Sequence, residues 1–312
     1  MERLEPNRRR QALARYADNI ETLAAPSPLD GAPVPYNTCP RIKQVRWRGS
    51  PLFADFLVDS ELSELTNTLN EWRGALRRWH VWLDVLDSFP EEDAWSLQWE
   101  FVEPIAFQCM FYPSATRDRF TFVATNALHQ VRMTADPAYA DRLDSDPKPG
   151  KEDKPRFLPR KDSENQLERI AAPLDGGAAF IAALKALDED DYLRLSSNFR
   201  NLASHAIAPR MNVGYTRMVV RTVDPATTMV QQANGSFKSE VIPGKQDVSY
   251  GFGGTPPLPM RDVFAANLEE FEKASACFTA YLYTLNNAVA ALPLREEQQE
   301  AGTASADVPQ TR

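Results

Sequence analysis

Between Ser60 and Phe89 the residues Leu62, Leu65, Leu69, Trp72, Leu76, Trp79, Leu83 and Leu86 recur at alternating spacings of three and four. The same rhythm returns between Arg261 and Leu292 through Phe264, Leu268, Phe271, Ser275, Phe278, Leu282, Leu285 and Val289. A 3.5-residue period gathers such positions on one stripe of an α-helix. A helix so striped cannot bury its apolar side alone, and two of matching length predict a helical bundle.

The remaining segments are read around these two helices. Pro90 stops the first. The apolar segment Trp95 to Met110 is expected to kink or end at Pro104, whose ring and missing N–H oppose helix continuation. Ser114, after Pro113, reads as the N-cap of a helix that carries Phe120, Val123, Ala127 and Val131 on one face. Helical patterns follow at Asp175–Leu187 and Tyr192–Ile207, with Pro209 as a stop. Residues 1–40 read as an N-terminal arm, an exposed helix from Glu5 to Leu23 followed by a Pro-rich connector. Residues 141–165, crowded with Asp, Lys, Pro and Arg, read as an exposed charged loop. From Tyr215 the period changes to two. Tyr215–Val223, Thr228–Gln232, Phe237–Ile242 and Val248–Phe252 read as short strands, and Asn234–Gly235 marks a tight hairpin. The expected organisation is a bundle over 41–292 with a β-insertion at 215–252 and a disordered tail at 293–312. The fold class is mainly α, with a small antiparallel sheet inserted before the last long helix.

Lys and Arg number 35 against 43 Asp and Glu, a net charge of −8, so attraction to nucleic acid requires a local basic patch. Cys39, Cys109 and Cys277 are odd in number and far apart, which suits reduced core thiols and a reducing compartment. The charged start Met1–Arg10 leads into no apolar core of a leader, and no run approaches the roughly 18 apolar residues of a spanning helix. A soluble, cytoplasmic chain with no membrane role is expected.

With three histidines, His80, His129 and His205, and no ligand-spaced pair among them, neither a metal nor a cofactor is expected. His80 and His129 each lie within a predicted helix and read as packed or solvent-facing residues. The run Asp188–Asp191 splays around a helix start and complements its dipole. Gly251–Thr255 lacks the lysine of a phosphate loop and reads as a turn. Ser204 beside His205 makes no triad, Cys109 and His129 make no dyad, and the tryptophans read as core.

The segment Tyr192–Val223 stands apart, because it holds Arg194, Arg200, Arg210, Arg217 and Arg221 and no Asp or Glu. On one continuous helix, Arg194, Asn198, Asn201 and His205 would form a polar stripe opposed to Leu195, Phe199, Leu202 and Ala206. If the anion drawn to this patch is an RNA phosphodiester, as the resemblance given next implies, cutting it without a metal needs a base for the 2′-OH proton and a cation for the phosphorane oxygens. His205 suits the first task, Arg200 the second, and Asn201, one turn before His205, can fix its tautomer. Arg194, Asn198, Arg210 and Arg217 are candidate RNA or anion contacts. Arg200 and His205 are five apart, about 140° around an ideal helix, so a homodimer that joins two motif helices is expected.

The stretch Arg200-Asn201-Leu202-Ala203-Ser204-His205 resembles the R-polar-x3-H signature of the HEPN superfamily of helical bundles. The resemblance covers six residues and implies a metal-independent endoribonuclease, often dimeric and often in a toxin or defence setting, with Arg200 and His205 catalytic and Asn201 in support. The alternative is a non-catalytic helical interaction module with a protein partner, in which the same residues are structural.

Overall fold

The structure, a computed structural model, describes residues 5–48, 53–148, 150 and 157–295. It is mainly α-helical, with one two-stranded antiparallel sheet before the last long helix. The expected tail lies outside the described residues from 296 onward, as do 149 and 151–156 of the expected loop. Among the described residues no helix is long and apolar enough to cross a membrane.

In chain order the elements are α1 (Pro6–Thr22), a 3-10 turn (Pro40–Gln44), α2 (Ala54–Asp87), α3 (Glu91–Leu97), a π-helical turn (Gln98–Val102) and α4 (Glu103–Ala135). There follow α5 (Arg160–Ala171), α6 (Gly177–Lys185), α7 (Asp190–Leu195), α8 (Phe199–Ser204), β1 (Val219–Gln231), β2 (Phe237–Phe252) and α9 (Met260–Ala290). The chain divides into two compact units: Met1–Val34, Thr68–Arg117 and Lys185–Ala276 form the first, and Pro35–Asn67, Asp118–Leu184 and Cys277–Arg312 the second.

In the first unit the heptad stripe of α2 is core, with Leu69, Trp72, Leu76 and Trp79 fully buried. Trp72 stacks on Tyr112 of α4 at 5.6 Å and meets Phe271 of α9 edge-on at 5.4 Å, and Trp79 meets Phe264 edge-on at 5.3 Å. Edge and offset ring contacts of this kind add to the area they bury. The N-terminal helix is docked here: Tyr16 stacks on Trp82, Trp82 on Phe101, and the Arg9 guanidinium covers Phe101.

The helix does not end at Pro104, and Ser114 is no N-cap. From Glu91 to Ala135 the backbone is helical throughout. The widened π turn immediately before Pro104 makes room for its ring, and Pro104 then falls in the first turn of α4, where no N–H donor is required. Pro113 lies inside α4, so Ser114 is no N-cap. The apolar packing of the helix outweighs one missing bond, with Cys109, Met110 and Phe120 all buried.

In the second unit the α4 face of Phe120, Val123, Ala127 and Val131 is buried as its spacing predicts. The Tyr281 ring packs on Phe120 and Phe180. His129 is a satisfied core residue, its Nδ1 3.0 Å from the Tyr139 hydroxyl and its Nε2 2.9 Å from Asp141 Oδ1. The end of the expected loop is helix: Arg160–Asn165 begin α5, whose Leu167, Ile170 and Ala171 supply the apolar face.

Glu61 of α2 is half-buried and accepts a 2.7 Å hydrogen bond from Asn126 Nδ2. Burial raises its carboxyl to about 7, although the Asn126 bond and the Arg119 charge pull it down. A raised folded-state pKa means the folded protein holds this proton more tightly than the unfolded chain does. The associated stability is complete below about pH 4.5 and is lost as pH rises to about 7. Glu61→Gln is expected to remove that slope, melting near wild type at pH 4.5 and above it at pH 8. Parallel melting curves across that range that keep the wild-type slope would refute the assignment.

The insertion before α9 is a single ribbon. Tyr215–Val223 and Thr228–Gln232 merge largely into β1, and Phe237–Ile242 and Val248–Phe252 merge into β2, in register from Val219↔Phe252 to Gln231↔Phe237. Pro225 sits at the register irregularity, and a two-stranded ribbon tolerates it because each strand has an open edge. Asn234–Gly235 forms the tip, as expected: Gly235, at φ +81°, donates its N–H to the Gln232 carbonyl. At the root, Thr216 and Thr255 exchange backbone bonds of 3.1 and 2.9 Å, and Leu258 pairs with Arg210 and Asn212. Gly254, at φ +103°, lies so close to the Thr216 and Arg217 carbonyls that a Cβ there would collide with them.

Candidate functional site

The Arg200–His205 stretch belongs to the first unit and is built on two short helices, not on the one long helix that its pattern predicts. Ser197 and Asn198 adopt left-handed backbone at φ +50° and separate α7 from α8. Ser and Asn compete with helix geometry by bonding nearby backbone, and Asn tolerates the left-handed region. Here Ser196 Oγ donates to the Tyr192 carbonyl at 2.8 Å, and the Asn198 N–H reaches back to the Leu193 carbonyl at 2.6 Å. The continuous polar stripe from Arg194 to His205 therefore does not form.

Phe199 anchors α8. It is buried between Phe107 and Phe111 of α4, with ring centroids 4.9 and 5.9 Å away. The next residue, Arg200, is exposed but braced, because its Nη1 donates to the buried Ser114 Oγ at 2.5 Å. Asn201 is exposed, and its carbonyl accepts the Ser204 hydroxyl at 2.7 Å. His205 closes α8 as its C-cap, donating its backbone N–H to Leu202 at 3.2 Å, and its side chain is exposed. Ala206 at φ +57° then turns the chain away.

The outlying candidates disperse. Arg194, on α7, pairs with Asp191 of its own helix, and Asn198 is spent on the break between helices. The Arg210 guanidinium lies 5.2 Å over the Trp99 ring, near Glu103, whose carboxyl burial raises and Arg210 pulls down. Arg217 sits at the ribbon root at φ +58°. The structure thus brings together Arg200 and Ser114, with Asn201 on the same short helix and His205 at its C-terminal end.

Two features escaped sequence reasoning. Ser114 is hidden within the apolar stretch of α4, and its link to Arg200 spans 86 positions, with no local signal. The second is a cleft of about 840 Å³ in the first unit, with Leu83, Leu86, Trp95 and Met260 among its apolar lining and Asp87 paired to Arg261 beside them. None of the candidate RNA-contacting residues lines it. Among the described residues no three His, Cys, Asp or Glu side chains gather as a metal site.

No family model matches the chain, and comparison with curated proteins and with solved structures likewise finds no match.

Proposed function

We propose that this chain is a HEPN-like endoribonuclease that cuts RNA without a metal ion. The observation that carries the reading is the braced, exposed Arg200 on the same short helix that ends in an exposed His205. A guanidinium already fixed at one nitrogen loses less rotamer freedom when an anion arrives, and its planar fork of donors matches phosphate oxygens. In this reading a phosphate of the RNA binds Arg200. The His205 imidazole takes the proton of the adjacent 2′-OH, whose oxygen attacks the phosphorus as the P–O5′ bond breaks; the 5′-oxygen of the next nucleotide leaves with a proton from water, and the imidazolium returns its own proton to solvent. Arg200 stabilises the charge that gathers on the non-bridging oxygens, and Asn201 orients the imidazole. RNA of mixed sequence is the substrate class to test.

Incubating the chain with mixed RNA is expected to give cleavage that survives EDTA and leaves 2′,3′-cyclic phosphate ends. Cleavage lost with chelator and restored by Mg²⁺ would sink the mechanism. The exposed ribbon favours a second reading, a non-catalytic interaction protein, and under it RNA stays intact in both conditions.

A further inference from the structure

The ribbon β1–β2 is amphipathic. In its root half, register puts Val219, Arg221, Val223, Val248, Tyr250 and Phe252 on one face, and Thr222, Ser249, Asp224 and Asp247 on the other. In its tip half Met229, Phe237 and Val241 share a face. The apolar side is open, with Tyr250 71% and Phe252 92% exposed. Two strands alone are marginal in water and need a third element against them. At about 200 Å² for an aromatic side chain, these residues expose on the order of 600 Å² or more, close to the roughly 800 Å² each partner gives a standard interface.

The charges identify the occupant. Residues 219–252 hold Arg221, Lys238 and Lys245 against Asp224, Glu240 and Asp247, so the ribbon is neutral in a chain of −8 and does not repel its own kind. Moreover, the two halves of β2 on either side of its register shift at 242–245 complement each other. With the tip half laid antiparallel on the root half of a copy, Lys238 faces Asp247, Ser239 faces Gln246 and Phe237 faces Val248. That alignment sets charge against opposite charge and apolar face beside apolar face. Within one ribbon Asp247 lies directly opposite Asp224, a like-charge pair that destabilises a sheet unless a cation joins it. Lys238 of a second copy would supply that cation.

We propose that the ribbon is a dimerisation arm whose occupant is the ribbon of a second copy, aligned antiparallel with the tip half of each β2 against the root half of the other. A two-fold interface uses the same patch twice and closes on itself, so each ion pair occurs twice. The inference rests on the ribbon alone and is independent of the RNA reading.

The test is the mass of the full chain in solution by analytical ultracentrifugation, across about 1–100 µM, with circular dichroism as a check on folding. The wild type is expected to dimerise, and the dimer to loosen as salt rises. Lys238→Asp and Asp247→Lys each replace two attractive contacts with two repulsive ones and are expected to weaken the dimer about tenfold. The two together restore it. Residues 238 and 247 of one chain pair with Val230 and Asp224, about 20 Å apart along the strand, so only a second copy can supply the rescue. RNA cleavage in these variants separates this proposal from the preceding one. A monomer at every concentration, or a dimer unchanged by all three variants, overturns the arm. So does a monomer that binds phosphatidylcholine vesicles through Phe252, which assigns the face to lipid.

Discussion

His205→Ala is expected to lower the rate of RNA cleavage by on the order of 100-fold or more while leaving the melting temperature almost unchanged. The imidazole is exposed and closes a six-residue helix, and among the described residues it forms no side-chain hydrogen bond that the change would orphan. Exposed positions of this kind usually tolerate Ala within about half a kcal/mol. Arg200→Ala is expected to lose a similar factor in rate but to behave differently in stability. It withdraws a donor from the buried Ser114 hydroxyl, which costs roughly 1 kcal/mol. Asn201→Ala, removing a residue that only orients the imidazole, should lose less than either. Rates for purified variants, paired with thermal melts, decide the matter. A folded His205→Ala protein that cleaves at the wild-type rate ends the catalytic assignment.

The largest stability effect is expected at Trp72. Its side chain is fully buried, stacked on Tyr112 and edge-on to Phe271. Trp72→Ala leaves a cavity that neighbouring long helices cannot collapse to fill, at a cost of about 3–5 kcal/mol. For a chain of this size the melting temperature should fall by roughly 8 °C or more. Trp72→Phe is the informative partner, since the indole Nε1 is buried without a hydrogen-bond partner among the described residues. Phe keeps most of the ring contact and removes the orphaned donor, so a loss under about 1.5 kcal/mol is expected. Equal losses for Ala and Phe in calorimetric melts would show that ring packing is not what Trp72 contributes.

Where the sequence could be read, one strong periodicity was at work. The stripes of α2 and α9 bury many apolar residues together, and no single local residue can override them. Leu65, Leu69, Trp72 and Leu285, Val289 lie buried where their spacing places them. Proline rules misled because they describe an isolated helix. Pro104 is absorbed by the π turn, and Pro113 by the packing around Cys109 and Met110. The opposite error occurred at Ser196–Asn198, where apolar spacing suggested continuity. Two left-handed residues cost little there, because Phe199 can still seat itself between Phe107 and Phe111. The short strands merged because the open edge tolerates the register shift beside Pro225 and pairing resumes at Thr227. The residue types of the candidate site were legible, but its geometry was not. Ser114 meets Arg200 only through the tertiary fold, and no pattern along the chain records that meeting.

The root of the ribbon has a further consequence. Its two stems leave the helical frame side by side, tied at Thr216–Thr255 and again where Met211 and Leu258 bridge. Asn212 extends that tie, giving its Nδ2 to Gln98 Oε1 and accepting the Met260 N–H that opens α9. An excursion that departs and returns at one place behaves as a cassette. A short splice from Asn212 to Leu258 would excise it and keep both bonds of Asn212 in place, and the same adjacency would let the ribbon be grafted into another host loop with its register intact.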